Sequence, residues 1–99
     1  MEKLVYYTKL FDSYKGLLND NEQTTFSSYY ENDLSMQEIA DNKGVSKSAI
    51  GATIKTVEMK LTNFEKILHL EEKEERLAHL MSKITEENIK SEIESIIKM

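Results

Sequence analysis

Cysteine, proline and tryptophan are absent from this 99-residue chain, and glycine occurs only three times. Without cysteine there is neither a disulfide framework nor a thiolate ligand for a metal. Without proline, and with so little glycine, the turns that punctuate sandwiches and barrels lack their usual residues. No apolar run approaches the roughly 20 residues that span a bilayer. The opening Met1-Glu2-Lys3-Leu4-Val5-Tyr6-Tyr7 has no apolar stretch of signal-peptide length. A cytoplasmic protein with no membrane insertion is expected. Positive charge is also short, with 13 Lys and Arg against 18 Asp and Glu and a net charge of −5. That balance argues against a protein that coats nucleic acid through bulk phosphate neutralisation, which drives non-specific binding. Divided after Thr62, the chain carries 7 basic against 9 acidic residues (−2) and then 6 against 9 (−3), so any contact with DNA must be local.

What remains is a helical composition, 31% charged and 39% apolar, which predicts an all-α helical bundle forming one domain over residues 1–99. Leu4, Tyr7, Phe11, Tyr14 and Leu18 alternate by three and four, marking a first helix from about Lys3 to Leu18. Leu10 and Leu17 widen its stripe, and Gly16 is unfavourable there by about 1 kcal/mol relative to Ala. Asn19 with Glu22, or Asp20 with Gln23, has capping-box spacing for a second helix. Phe26, Tyr29 and Tyr30 face inward from it, and the two Tyr hydroxyls need partners at the edge of the core.

Residues 34–62 hold the most informative pattern. Ser35 and Glu38 form a second capping-box pair, Ala40 is small where two helices would cross, and Gly44 suits a turn that needs positive φ. Val45 is expected to plug the angle between the helices. Ser46 caps the next helix, whose Ile50, Ile54, Val57 and Leu61 make its buried face. Two helices joined by a tight turn are a helix-turn-helix, which sets its second helix in the major groove of DNA. At about 100° per residue, Ser48, Ala52, Lys55, Thr56 and Met59 project outward, with Gly51 beside them. Ser46, through its backbone amide, Lys47 and Lys55 can reach phosphates, whereas Ser48 and Thr56 can meet base edges. There is no Arg or Gln for a bidentate base contact.

The apolar stripe continues through Phe64 and Leu68, so the second motif helix is long. It then meets Glu71, Glu72, Glu74 and Glu75, and the apolar positions shift to Leu70, Leu77, Leu80, Met81 and Ile84, predicting a break near residues 70 to 73. Glu72 and Arg76 form an i,i+4 pair. Ser82 with Thr85, or Thr85 with Asn88, is expected to cap a last helix lined by Ile89, Ile93, Ile96 and Ile97. Residues 63–99 therefore read as a C-terminal extension that dimerises through Phe64, Leu68, Leu77, Leu80 and Ile84.

His69 and His79 lie ten residues apart, not at a spacing that pairs imidazoles on one helix face for a metal. No Gly-rich phosphate loop or nucleophile constellation is present. Neither enzymatic activity nor a cofactor is expected.

Leu10-Phe11-Asp12, Tyr14, Tyr29-Tyr30, the motif itself and Leu61, Glu65, Lys66 and Leu68-His69-Leu70-Glu71 together resemble the YlxM-like family of small bacterial helix-turn-helix proteins. The motif alone is similar to the sigma-factor region that reads the −35 promoter element. The family resemblance implies a DNA-binding regulator associated with the signal recognition particle pathway, whose protein or RNA would be a partner. In the family pattern Arg-Gln follows the capping Ser, an aromatic stands at Gly51 and a basic residue at Thr56. This chain instead has Lys47-Ser48, Gly51 and Thr56, and Lys43 stands where an apolar wedge is usual.

Overall fold

The computed structural model describes residues 2–99, and among them every regular element is helical. The elements are α1 (Glu2–Tyr14), a 3-10 turn (Lys15–Leu17), α2 (Asp20–Tyr30), α3 (Met36–Lys43), α4 (Lys47–Leu68), α5 (Leu70–Met81) and α6 (Glu87–Ile97). The all-α architecture with an extended second motif helix is as the sequence predicts.

The first helix stops short of Leu18. It gives way at Tyr14 to the 3-10 turn containing Gly16, and Leu17 is exposed rather than part of the stripe. Glycine loses more conformational freedom in an α-helix than any other residue, which accounts for the change of winding there. Leu18 then extends, donates its amide to the Lys15 carbonyl at 3.0 Å and buries its side chain. Of the two possible caps on α2, Asn19 is used. Its Oδ1 accepts the Glu22 amide at 2.8 Å, and Glu22 Oε1 accepts the Asn19 amide at 3.0 Å.

Helix α3 starts on the Ser35 and Glu38 capping box, with bonds of 3.1 and 3.0 Å. It stops at Gly44, whose φ of 69° lies in the left-handed region that favours glycine. The amides of Gly44 and Val45 both turn back to the Ala40 carbonyl. Val45 spends its backbone on that cap and leaves its side chain 46% exposed, so it does not plug the angle. Ile39 and Ala40 of α3 fill it instead against Ile50 and Ile54 of α4, with Tyr29, Tyr30, Leu34 and Met36 around them.

Helix α4 is the spine of the first unit. Its early turns pack on α3, and Val57 and Leu61 join Leu10, Phe11, Tyr14, Leu18 and Phe26 in a second cluster that Tyr7, Tyr30 and Phe64 complete. Burying a Leu or Phe side chain contributes about 1.5–3 kcal/mol. These two clusters hold α4 with its opposite face outward.

The chain divides into two compact units, Met1–Leu68 and His69–Met99. Phe64 packs on Tyr14 at a ring separation of 5.8 Å and so belongs to the first unit's core. The helical break comes at His69, just ahead of the expected 70 to 73, where φ is 54°. In the second unit, α6 packs back on α5. Met81 is buried, and the Arg76–Glu72 pair forms at 2.8 Å. Neither expected cap opens α6. The Glu86 carboxylate accepts the Asn88 amide at 3.2 Å, and its charge suits the positive end of a helix.

Candidate nucleic-acid interface

The outward face of α4 is built from its cap onward. Ser46 Oγ accepts the Ala49 amide at 3.1 Å, which satisfies one orphaned donor and starts the helix at Lys47. Because Ile50, Ile54, Val57 and Leu61 face the core, Ser46, Lys47, Ser48, Ala52, Lys55 and Thr56 are all exposed. Met59 continues the face at 67% exposure. Lys47 and Lys55 lie eight residues apart, about 12 Å along the axis, which matches the width of a B-DNA major groove.

Electrostatics sharpen this face in a way no local pattern announces. From Lys47 to Val57 the helix has no acidic residue, and the two later carboxylates of α4 are engaged elsewhere. Glu58 accepts the Tyr30 hydroxyl and lies 3.7 Å from Lys3 Nζ. Glu65 accepts the Tyr14 hydroxyl at 2.6 Å. Burial, and then the bond to Glu58, push the Tyr30 hydroxyl above its ordinary range, so it stays a protonated donor. Tyr14 of α1 and Tyr30 of α2 thus find partners for their hydroxyls and position negative charge at the same time.

Two further polar ties orient the motif. Lys60 Nζ reaches Glu22 Oε2 at 2.7 Å, linking α4 to the cap of α2. That hydrogen bond first, and the Asn19 amide second, hold the Glu22 carboxyl below its usual 4.5. Lys43, in the place of the apolar wedge, snorkels to α2, donating to Asn21 Oδ1 at 3.0 Å and Thr24 Oγ1 at 2.7 Å. It braces α3 against α2. Sequence separations of 38 residues for Lys60–Glu22 and 51 for Tyr14–Glu65 leave no periodic signal by which either tie could be found.

Two expected outcomes follow from these contacts. A folded-state pKa below 4.5 means that ionised Glu22 contributes stability above that pH and loses it as pH falls through the lowered value. Urea midpoints of wild type and Glu22→Gln should therefore differ most near neutrality and converge in acid; a constant gap would contradict the assignment. At Gly51, an added Cβ would meet only Met36 Sδ, at 3.7 Å, an ordinary contact. Gly51→Ala should stabilise α4 by about 1 kcal/mol and raise the melting temperature by about 4–8 °C, read by circular dichroism.

Among the described residues, no group of three or more His, Cys, Asp or Glu could hold a metal ion. No described helix is long and apolar enough to cross a membrane. Gly44 is where the turn requires it. Leu68, Leu77 and Leu80 are exposed, and Ile84 is half-buried.

A family model described as "UPF0122: Putative helix-turn-helix protein, YlxM / p13 like" matches residues 1–99. A UPF0122 protein of Mycoplasma capricolum is 42% identical over 84 residues, covering 85% of this chain and 74% of the relative. One from Mycoplasma pneumoniae is 39% identical over 85 residues, covering 86% and 83%. One from Bacillus cereus is 32% identical over 103 aligned residues, covering 99% and 94%. No solved structure matches. With its capped α3, left-handed Gly44 turn and outward-facing α4, the chain belongs to the UPF0122, YlxM-like family of helix-turn-helix proteins.

Proposed function

We propose that this protein is a cytoplasmic, non-enzymatic DNA-binding regulator that lays the first turns of α4 in the major groove. Lys47, Lys55 and the Ser46 amide contact phosphates, while Ser48, Ala52 and Thr56 meet base edges. The observation that carries this reading is the exposed, acid-free segment of α4 with two lysines about one groove width apart. With a net charge of −5 and two lysine contacts per chain, binding is weak, and each chain contributes a slope of only about −2 to log K against log salt. The reading includes a homodimer, which presents two α4 helices to half-sites about 34 Å apart. Fluorescence anisotropy with a random duplex at low salt tests it, and affinity should fall as salt rises. No binding by wild type under those conditions would retire it.

A second reading is a protein- or RNA-interaction module on the same scaffold. It is supported by the short side chains Ser48, Gly51, Ala52 and Thr56 on the outward face. The partner would then be the protein or RNA of the signal recognition particle, which the family resemblance implies. Isolation of the native complex, with both nucleic acid and protein identified, separates the two readings.

A further inference from the structure

We propose that the outward face of α4 meets duplex DNA well beyond its first turns, with Lys66 holding a phosphate outside the groove that Lys47 and Lys55 span. This rests on the DNA-binding reading above and adds a third cationic contact to it.

The buried stripe of α4 has a counterpart on the opposite side. Ser48, Ala52, Lys55, Met59, Thr62 and Lys66 alternate by four and three residues, so at about 100° per residue they fall in a band less than about a quarter turn wide. All six are exposed. The band holds no carboxylate. Glu58 and Glu65, the acidic residues of α4, stand about a quarter turn from its middle, where Tyr30 and Tyr14 donate to them. Of the four lysines of α4, Lys60 lies about a third of a turn off the band and is spent on Glu22 at 2.7 Å. Among the described residues, Lys47, Lys55 and Lys66 form no ion pair. The shallow depression along this half of the helix sets Lys55, Lys60 and Lys66 against one carboxylate, Glu58, which already accepts the Tyr30 hydroxyl.

Length and charge identify the occupant. With 22 residues, α4 is about 33 Å long, and Lys66 lies about 16 Å past Lys55 along the axis. The major groove is only about 12 Å wide. A continuous helix whose first turns fill the groove therefore overruns it and passes over the bounding strand. The side chains there suit that strand. Lys66 brings a charge and Thr62 and Asn63 bring neutral donors, the types that bind phosphate oxygens and carry no sequence information. Duplex DNA fits better than duplex RNA, whose deep, narrow major groove side chains cannot read.

Anisotropy titrations of the full chain on a random DNA duplex, from about 20 to about 200 mM salt, read the contact. Lys66→Gln should make the slope of log K against log salt shallower by about 0.9 per bound chain, so its affinity gap from wild type closes about eightfold over that range. Lys66→Arg should keep the wild-type slope, and Thr62→Lys, which adds a cation to the band, should steepen it by a similar amount. Lys15→Gln, in a groove that α1 and α2 line without α4, should change nothing. The loss in Lys66→Gln should be equal on AT-rich and GC-rich duplexes. A wild type that binds no duplex overturns both the DNA reading and this contact. Binding that depends on Lys47 and Lys55 but keeps its slope in Lys66→Gln leaves the first turns in the groove and overturns the contact alone. Equal slope changes in Lys66→Gln and Lys15→Gln would report net charge and overturn it too, as would a Lys66 effect confined to duplex RNA.

Discussion

Replacing Lys47 and Lys55 together by glutamate abolishes duplex binding at low salt and leaves the far-ultraviolet circular dichroism unchanged. Both side chains are exposed and outside the two apolar clusters, so their loss removes little packing. Each phosphate neutralised contributes about 0.9 to the slope of log K against log salt. Removing two contacts therefore lowers the slope by about 2, and the reversed charges add repulsion from the same phosphates. Non-specific affinities start at Kd of about 10⁻⁴–10⁻⁶ M, so such a loss moves binding out of measurable range. Anisotropy titrations at several salt concentrations decide the matter. Equal affinity and equal slope for variant and wild type would show that α4 does not lie against phosphate. A matched pair at Lys73 and Lys90, in the second unit, should leave binding unchanged.

Phe26→Ala lowers stability by about 3–5 kcal/mol, a large part of the 5–15 kcal/mol typical of a domain. Phe26 is fully buried, with its ring 4.4 Å from Tyr30 in a stacked arrangement and 4.9 Å from Phe11. Removing it deletes apolar burial, leaves a cavity and loosens Tyr30, whose hydroxyl holds Glu58. The melting temperature should fall by more than about 12 °C, with a lower urea midpoint at an unchanged slope. Val45→Ala, at an exposed position beside the motif turn, should stay within about 0.5 kcal/mol of wild type. Comparable losses in both variants would contradict the assignment of the core to the α1, α2 and α4 faces.

Much of the first unit was legible in the sequence because its signals are local. Capping boxes act over three residues, the Gly44 turn over one, and the stripe Ile50, Ile54, Val57 and Leu61 through a fixed helical period. Those features set the helices, the turn and the outward direction of Lys47, Lys55 and Thr56. Where local signals competed, packing and capping chose. Asn19 rather than Asp20 capped α2, Glu86 rather than Ser82 or Thr85 capped α6, and Val45 turned outward because Ile39 and Ala40 already filled the helix crossing.

By itself, then, the sequence determined an all-α chain with a helix-turn-helix, a long second helix and a thin polar outward face. Tertiary structure alone decided the electrostatics of that face and the division of the chain. Glu58 and Glu65 are carboxylates on the same helix as Lys55, and Tyr30 and Tyr14 reach them from other helices to donate hydrogen bonds. The choice of Lys60 by Glu22, and of Asn21 and Thr24 by Lys43, has the same origin. Such pairs form between residues far apart in sequence, where neither period nor propensity acts. A long polar side chain takes whichever partner the fold brings within reach.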